Sequence, residues 1–137
     1  MQIGFIGLGK LGLPVAELLQ QKGYKVTGYD SLKKISKHID VVDNINEAIV
    51  DKEIVFVAVP TPHSKGYGGQ MPIADLEPED FDYSSVKQVI NHCNKIMHDK
   101  QILVLISTVL PGTVRKHFKP ICTNTNLIYN PYLIAMG

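Results

Sequence analysis

The chain has 137 residues, 45% of them hydrophobic, which places it in the size range of one domain with a substantial core. Its formal net charge is +1, from 14 basic and 13 acidic residues, so it carries neither a nucleic-acid footprint nor a strongly charged partner surface. No apolar stretch is long enough to span a bilayer, the two cysteines sit in no metal or redox motif, and the N-terminal apolar run leads into a glycine loop rather than a cleavage site; a reducing, cytoplasmic setting is the expectation.

Ile3, Phe5 and Ile6 form a short apolar strand that runs directly into G-x-G-x-x-G at Gly7, Gly9 and Gly12. Each glycine has a physical job: Gly7 allows the tight turn off the strand, Gly9 lets backbone approach a pyrophosphate, and Gly12 lets the next helix lie close to the sheet. Val15, Ala16, Leu18 and Leu19 then recur at helical spacing until Gly23 supplies a stop. A second strand, Lys25 to Tyr29, ends on Asp30, eighteen residues after Gly12. A carboxylate there accepts from a ribose diol and repels a 2′-phosphate, which favours NAD over NADP; Lys33 and Lys34 soften that preference. The alternative reading is a plain βαβ unit with a glycine turn and no ligand.

Further along, Val41 and Val42 mark a weak strand, followed by a short helix from Asn46 to Val50 with Asn44 as its cap. Glu53 to Val59 is a continuous apolar run of the kind buried on both faces. An irregular stretch from His63 to Phe81 precedes a helix over Tyr83 to Met97, with Val86, Val89, Ile90, Cys93 and Met97 on one face. Ile102 to Ile106 is another buried strand, a short helix begins near Pro111 to Thr113, and Leu127 to Tyr129 is a sixth strand. Strands alternating with helices predict a Rossmann-like, doubly wound and mainly parallel α/β sheet of six strands with helices on both faces. Ligands of such sheets bind beyond the carboxyl ends of the strands. The candidate cofactor residues are therefore Gly7, Gly9, Lys10, Leu11, Gly12, Asp30, Pro60, Thr61, Ser107 and Thr108.

Gly-Leu-Gly-Lys-Leu-Gly-Leu-Pro (7 to 14), Val-Pro-Thr-Pro (59 to 62), Ser-Thr-Val-Leu-Pro-Gly-Thr (107 to 113) and Asn-Pro (130 to 131) come in an order and at a spacing that resemble the UDP-glucose/GDP-mannose dehydrogenase family. Four motifs in order are more specific than any one of them, and they cover essentially the whole chain. The resemblance implies a two-step, NAD-dependent oxidation of a sugar-nucleotide C6 alcohol to a carboxylate, in the supply of polysaccharide precursors. It also implies an N-terminal dinucleotide domain joined by a long helix, commonly at a dimer interface, to a nucleotide-sugar domain that holds the thiol nucleophile and its helper lysine and aspartate. The expectation is one NAD-binding domain over residues 1–137, with the connecting helix and second domain outside it. NAD is the partner, a homodimer is implied, and a sugar nucleotide joins only where a second domain exists.

Carried over residue by residue, the resemblance gives Thr108 a supporting role at the reacting centre and lays Pro60 and Thr61 along the cofactor. The fourth motif commonly reads Asn-Pro-Glu-Phe-Leu-Arg-Glu-Gly, whereas here Tyr132 and Met136 replace both glutamates. A phenol with a pKa near 10 is no carboxylate base, and methionine transfers no protons. Cys93 and Cys122 stand where the family has no nucleophile and read as ordinary cysteines. Asp82 to Val86 matches the family's Asp-Leu-Ser-Tyr-Val after a lengthened connection, which reads as a mobile surface loop in the position of a lid, with His63 exposed on it. Its acids, and the histidines elsewhere, have no metal-ligand spacing.

Three readings of function follow. The first is the NAD-binding domain of a nucleotide-sugar dehydrogenase, inactive alone. The second is a stand-alone NAD-binding or sensing module, and the third a hydroxy-acid or imine-type dehydrogenase, which shares the Gly-Leu-Gly opening but normally lacks Val-Pro-Thr-Pro. The end at Gly137, inside the fourth motif, leaves open a piece of a longer frame, an isolated domain, or a short protein that kept binding and lost catalysis.

Overall fold

A computed structural model describes residues 1–68 and 76–132. Its order is β1 (Gln2–Ile6), α1 (Gly12–Gln21), β2 (Lys25–Tyr29), β3 (Asp40–Val42), a 3₁₀ turn (Ile45–Ala48), β4 (Ile54–Val57), α2 (Ser84–Ile96), β5 (Ile102–Leu105), a π-helical turn (Val114–Phe118) continued by a 3₁₀ turn (Lys119–Ile121), and β6 (Asn126–Tyr129). All six strands pair in parallel in the order β3-β2-β1-β4-β5-β6. Strand order reverses between β1 and β4, which opens the crevice where such sheets take ligands.

Because successive side chains of a strand face opposite sides, the apolar runs sort into two cores. Ile3 and Phe5 of β1 and Val104 of β5 turn to the α1 side, where they join Ala16. Ile6, Val55, Val57, Leu103 and Leu105 turn to the other side and meet Val86, Ile90 and Cys93 of α2, with Phe118 of the π-helical turn. Right-handed crossovers explain the division: β4–α2–β5 and β5–turn–β6 step the same way along the sheet, so both connections lie on one face.

Several elements depart from the sequence expectation. The Asn46–Val50 helix is a 3₁₀ turn over Ile45–Ala48, although Asn44 does cap it by accepting the Asn46 N–H. The Glu53–Val59 strand stops at Val57, because its carboxyl end leaves the sheet to build the site. The helix expected from Pro111–Thr113 starts at Val114 and takes π geometry; Gly112, at φ +87°, makes a turn before it. The sheet is parallel throughout rather than mainly so.

Candidate functional site

The glycine loop is shaped by what surrounds it. Gly7 has φ +95°, and a Cβ there would stand 2.5 Å from the Ala58 carbonyl oxygen, so a side chain is excluded by conformation and by space. A Cβ at Gly12 would collide with the Gly7 carbonyl oxygen, so the first turn of α1 rests directly on the loop. Gly9 has nothing within 4 Å of where a Cβ would stand, leaving its backbone open to a ligand. No side chain caps α1 and its first turn carries no acid. Within that turn the Leu13 N–H is taken by the Gly9 carbonyl at 3.1 Å and Pro14 has none, so the donors placed to meet an anion are the backbone N–H groups of Lys10, Leu11 and Gly12 at its entry.

Asp30 closes the other side. Its Oδ2 accepts the Leu8 N–H at 2.6 Å and its Oδ1 the Leu32 N–H at 2.8 Å, so the carboxylate fastens the glycine loop to the end of β2. A cleft of about 310 Å³ opens between these groups, and Gly7, Gly9, Asp30 and Pro60 line it. Lys10, Leu11, Gly12, Thr61, Ser107 and Thr108 do not. Among its other walls, Lys34 is one the sequence already sets beside Asp30, whereas Leu32 beyond β2 and Ser85, Gln88 and Val89 on α2 are not indicated by the sequence. The spacing of Ser85, Gln88 and Val89 puts them on one helical face, a signal without meaning until α2 is placed on the sheet.

Ser107 and Thr108 stand at the end of β5, tied to the end of β4. The Ser107 hydroxyl donates to the Val59 carbonyl at 2.7 Å, and the Thr61 hydroxyl donates to the Thr108 carbonyl at 2.6 Å. Ser107 is buried by this bond, while Thr108 is exposed. Beyond them a second groove, of about 570 Å³, runs along Val109, Pro111, Tyr129 and the exposed cations Arg115 and Lys119.

The long connection after Pro62 begins and ends as a paired stem. Asp82 N–H donates to the Pro62 carbonyl, the Ser64 hydroxyl to Glu79 Oε1, and the Tyr67 hydroxyl to the Glu77 carbonyl. Residues 69–75, which include Gly69, Pro72 and Asp75 of the expected lid, lie outside the described residues, as does Met136. His63 is exposed and lines neither cleft. Among the described residues no three His, Cys, Asp or Glu gather to hold a metal ion, and no helix is long and apolar enough to cross a membrane.

Residues 31–136 match the UDP-glucose/GDP-mannose dehydrogenase family, NAD binding domain. The chain belongs to that family. It is the NAD-binding domain of a UDP-glucose/GDP-mannose dehydrogenase relative, and NAD is its cofactor. UDP-N-acetyl-D-mannosamine dehydrogenase of Methanococcus aeolicus is 29% identical over 153 aligned positions, covering 96% of this chain and 33% of that protein. The enzyme of the same name from Pyrococcus horikoshii is 28% identical, over 85% of this chain and 30% of its own length. The crystal structure of a ternary complex of GDP-mannose dehydrogenase from Pseudomonas aeruginosa superposes with a TM-score of 0.78 at 20% identity, over 98% of this chain and 37% of that one. The chain thus spans about a third of the length of the relatives it matches.

The two cysteines and the tyrosine of the fourth motif are held in their protonated forms. Burial pushes the Cys93 thiol up to about 12 and raises that of Cys122, which disfavours the thiolate in both. Burial also raises the Tyr132 phenol above its ordinary value, away from the range of a base at neutral pH.

Proposed function

We propose that residues 1–137 form one domain that holds NAD for a nucleotide-sugar 6-dehydrogenase. The observation that carries the placement is the cleft at the β1–β4 reversal, which the open Gly9 and the Asp30 carboxylate line, with the uncapped start of α1 following directly on the loop. In this reading the Gly7–Gly12 loop and α1 receive the pyrophosphate through backbone N–H groups, with Lys10 and Leu11 at the loop's solvent edge. Asp30 accepts from the adenosine ribose diol, for which its oxygens retain lone pairs beside the two backbone bonds. Pro60, Thr61, Ser107 and Thr108 border the other half of the dinucleotide, and Thr108 is the residue nearest the chemistry.

Held by the glycine loop and Asp30, NAD would supply the hydride acceptor for oxidation at C6 of a sugar nucleotide. This chain's own part is to bind, orient and exclude water, since Tyr132 stands where the family has a glutamate and neither cysteine is a nucleophile. The thiol and the sugar-nucleotide site come from polypeptide other than these residues, in a cytoplasmic enzyme, commonly a homodimer, that feeds polysaccharide synthesis. Titration calorimetry tests the reading. NAD should bind with a Kd between about 1 μM and 1 mM and more tightly than NADP, and the chain alone should form no NADH from UDP- or GDP-sugars. Equal affinity for the two cofactors would overturn the role of Asp30, and absence of NAD binding would overturn the placement as a whole.

A further inference from the structure

Tyr83 is buried at the start of α2, 5% exposed, with its ring edge-on to Phe118 at 5.7 Å. Its hydroxyl has three partners in two segments. It donates to Asp80 Oδ1 at 2.5 Å, at the base of the long connection; it accepts the Leu110 N–H at 3.3 Å; and it lies 3.2 Å from Oγ1 of the buried Thr113. A phenol has one proton, and here Asp80 takes it, so Thr113 is the donor in the third contact. The turn held in this way, Val109–Thr113, follows directly on Ser107 and Thr108.

We propose that the Tyr83 hydroxyl is a positioning group for the cofactor site: it holds the Val109–Thr113 turn, and through it Ser107 and Thr108, at the height required by the half of NAD that lies beyond the pyrophosphate. The inference rests on the placement proposed above, in which the adenosine half lies at Asp30 on β2 and the other half passes over β4 and β5. ADP occupies only the first half. Removing the hydroxyl therefore weakens NAD and spares ADP, whereas loss of packing or general destabilisation changes both or neither.

The experiment is calorimetry of the wild-type chain and Tyr83→Phe with NAD and with ADP, alongside thermal unfolding. The expected result is an NAD affinity about three- to tenfold weaker in Y83F, with ADP affinity within about twofold of wild type. A ratio of NAD to ADP affinity that Y83F leaves unchanged overturns the proposal while leaving the cofactor reading intact. Wild-type chain that binds ADP and NAD equally well, or neither, overturns the placement on which both depend. Should Y83F fail to fold, Thr113→Val removes the donor to the same hydroxyl, and the same split between NAD and ADP is required of it.

Discussion

Asp30 uses one carboxylate for two tasks. It closes the glycine loop by accepting the N–H of Leu8, a residue 1% exposed, and it faces the cleft. Asp30→Ala should therefore lower NAD affinity by about 1.5–3 kcal/mol, as for a hydrogen bond to a charged acceptor, and also lower unfolding stability by about 1–3 kcal/mol because a buried N–H is orphaned. Calorimetry paired with urea unfolding checks both; an unchanged stability would show that the Leu8 bond does not secure the loop. Asp30 as the proposed ribose acceptor is a reading available from the motif, since an acid at the end of the second strand is a sequence-level signal. The loop fastening was not legible, because it depends on β1 and β2 pairing in a register that sets Ile6 beside Tyr29. Gly7 and Gly12 were legible for the reasons the structure bears out, conformation and close approach.

At the scale of elements, α2 and its lead-in carry a pH dependence of known sign. The Ser84 N–H holds the Asp82 carboxyl below its ordinary 3.8, and the Tyr83 hydroxyl does the same for Asp80. A carboxyl whose folded value is depressed contributes stability that is complete above the unfolded value and is lost as pH falls through the folded one. The melting temperature should thus hold nearly level from neutral pH to about 5 and decline below about 4, and the double variant Asp80→Asn, Asp82→Asn should decline less steeply. A slope identical to wild type would remove these two carboxyls from the account. The helix itself was legible to within a residue at each end, because its apolar positions repeat at helical spacing. The π-helical turn was not: Val114 and Phe118, four apart, read as any helical turn, and nothing in that spacing marks the wider hydrogen-bond register. The far wall of the cleft escaped for a related reason, since Ser85 and Gln88 are polar residues whose placement follows from tertiary packing alone.

Across the whole molecule the two faces of the sheet are unequally covered. α2 and the turns before β6 lie on one face, and α1 lies on the other beside β1 and β2, so the α1 side of β6 has no described helix over it. Adjacent residues of β6 register the difference: Leu127 packs into the α2-side core, while Ile128, on the opposite side, is 47% exposed despite being aliphatic. The pairing of Leu103 with Leu127 and of Val104 with Ile128 in neighbouring strands lets the asymmetry be measured within one patch of sheet. Leu103, fully buried, should cost about 2–5 kcal/mol on truncation to alanine, because the removed methyl groups leave a cavity that rigid strands on both sides cannot close. Ile128→Thr keeps the β-branch that suits a strand and gives up little burial, so its cost should stay within about 0.5 kcal/mol. Urea unfolding of the two variants decides the matter. If Ile128→Thr proves as damaging as Leu103→Ala, the α1 side of β6 is covered in solution, by a second copy or by chain outside the described residues, and the melting temperature of the wild type should then rise with protein concentration in the first case and not in the second.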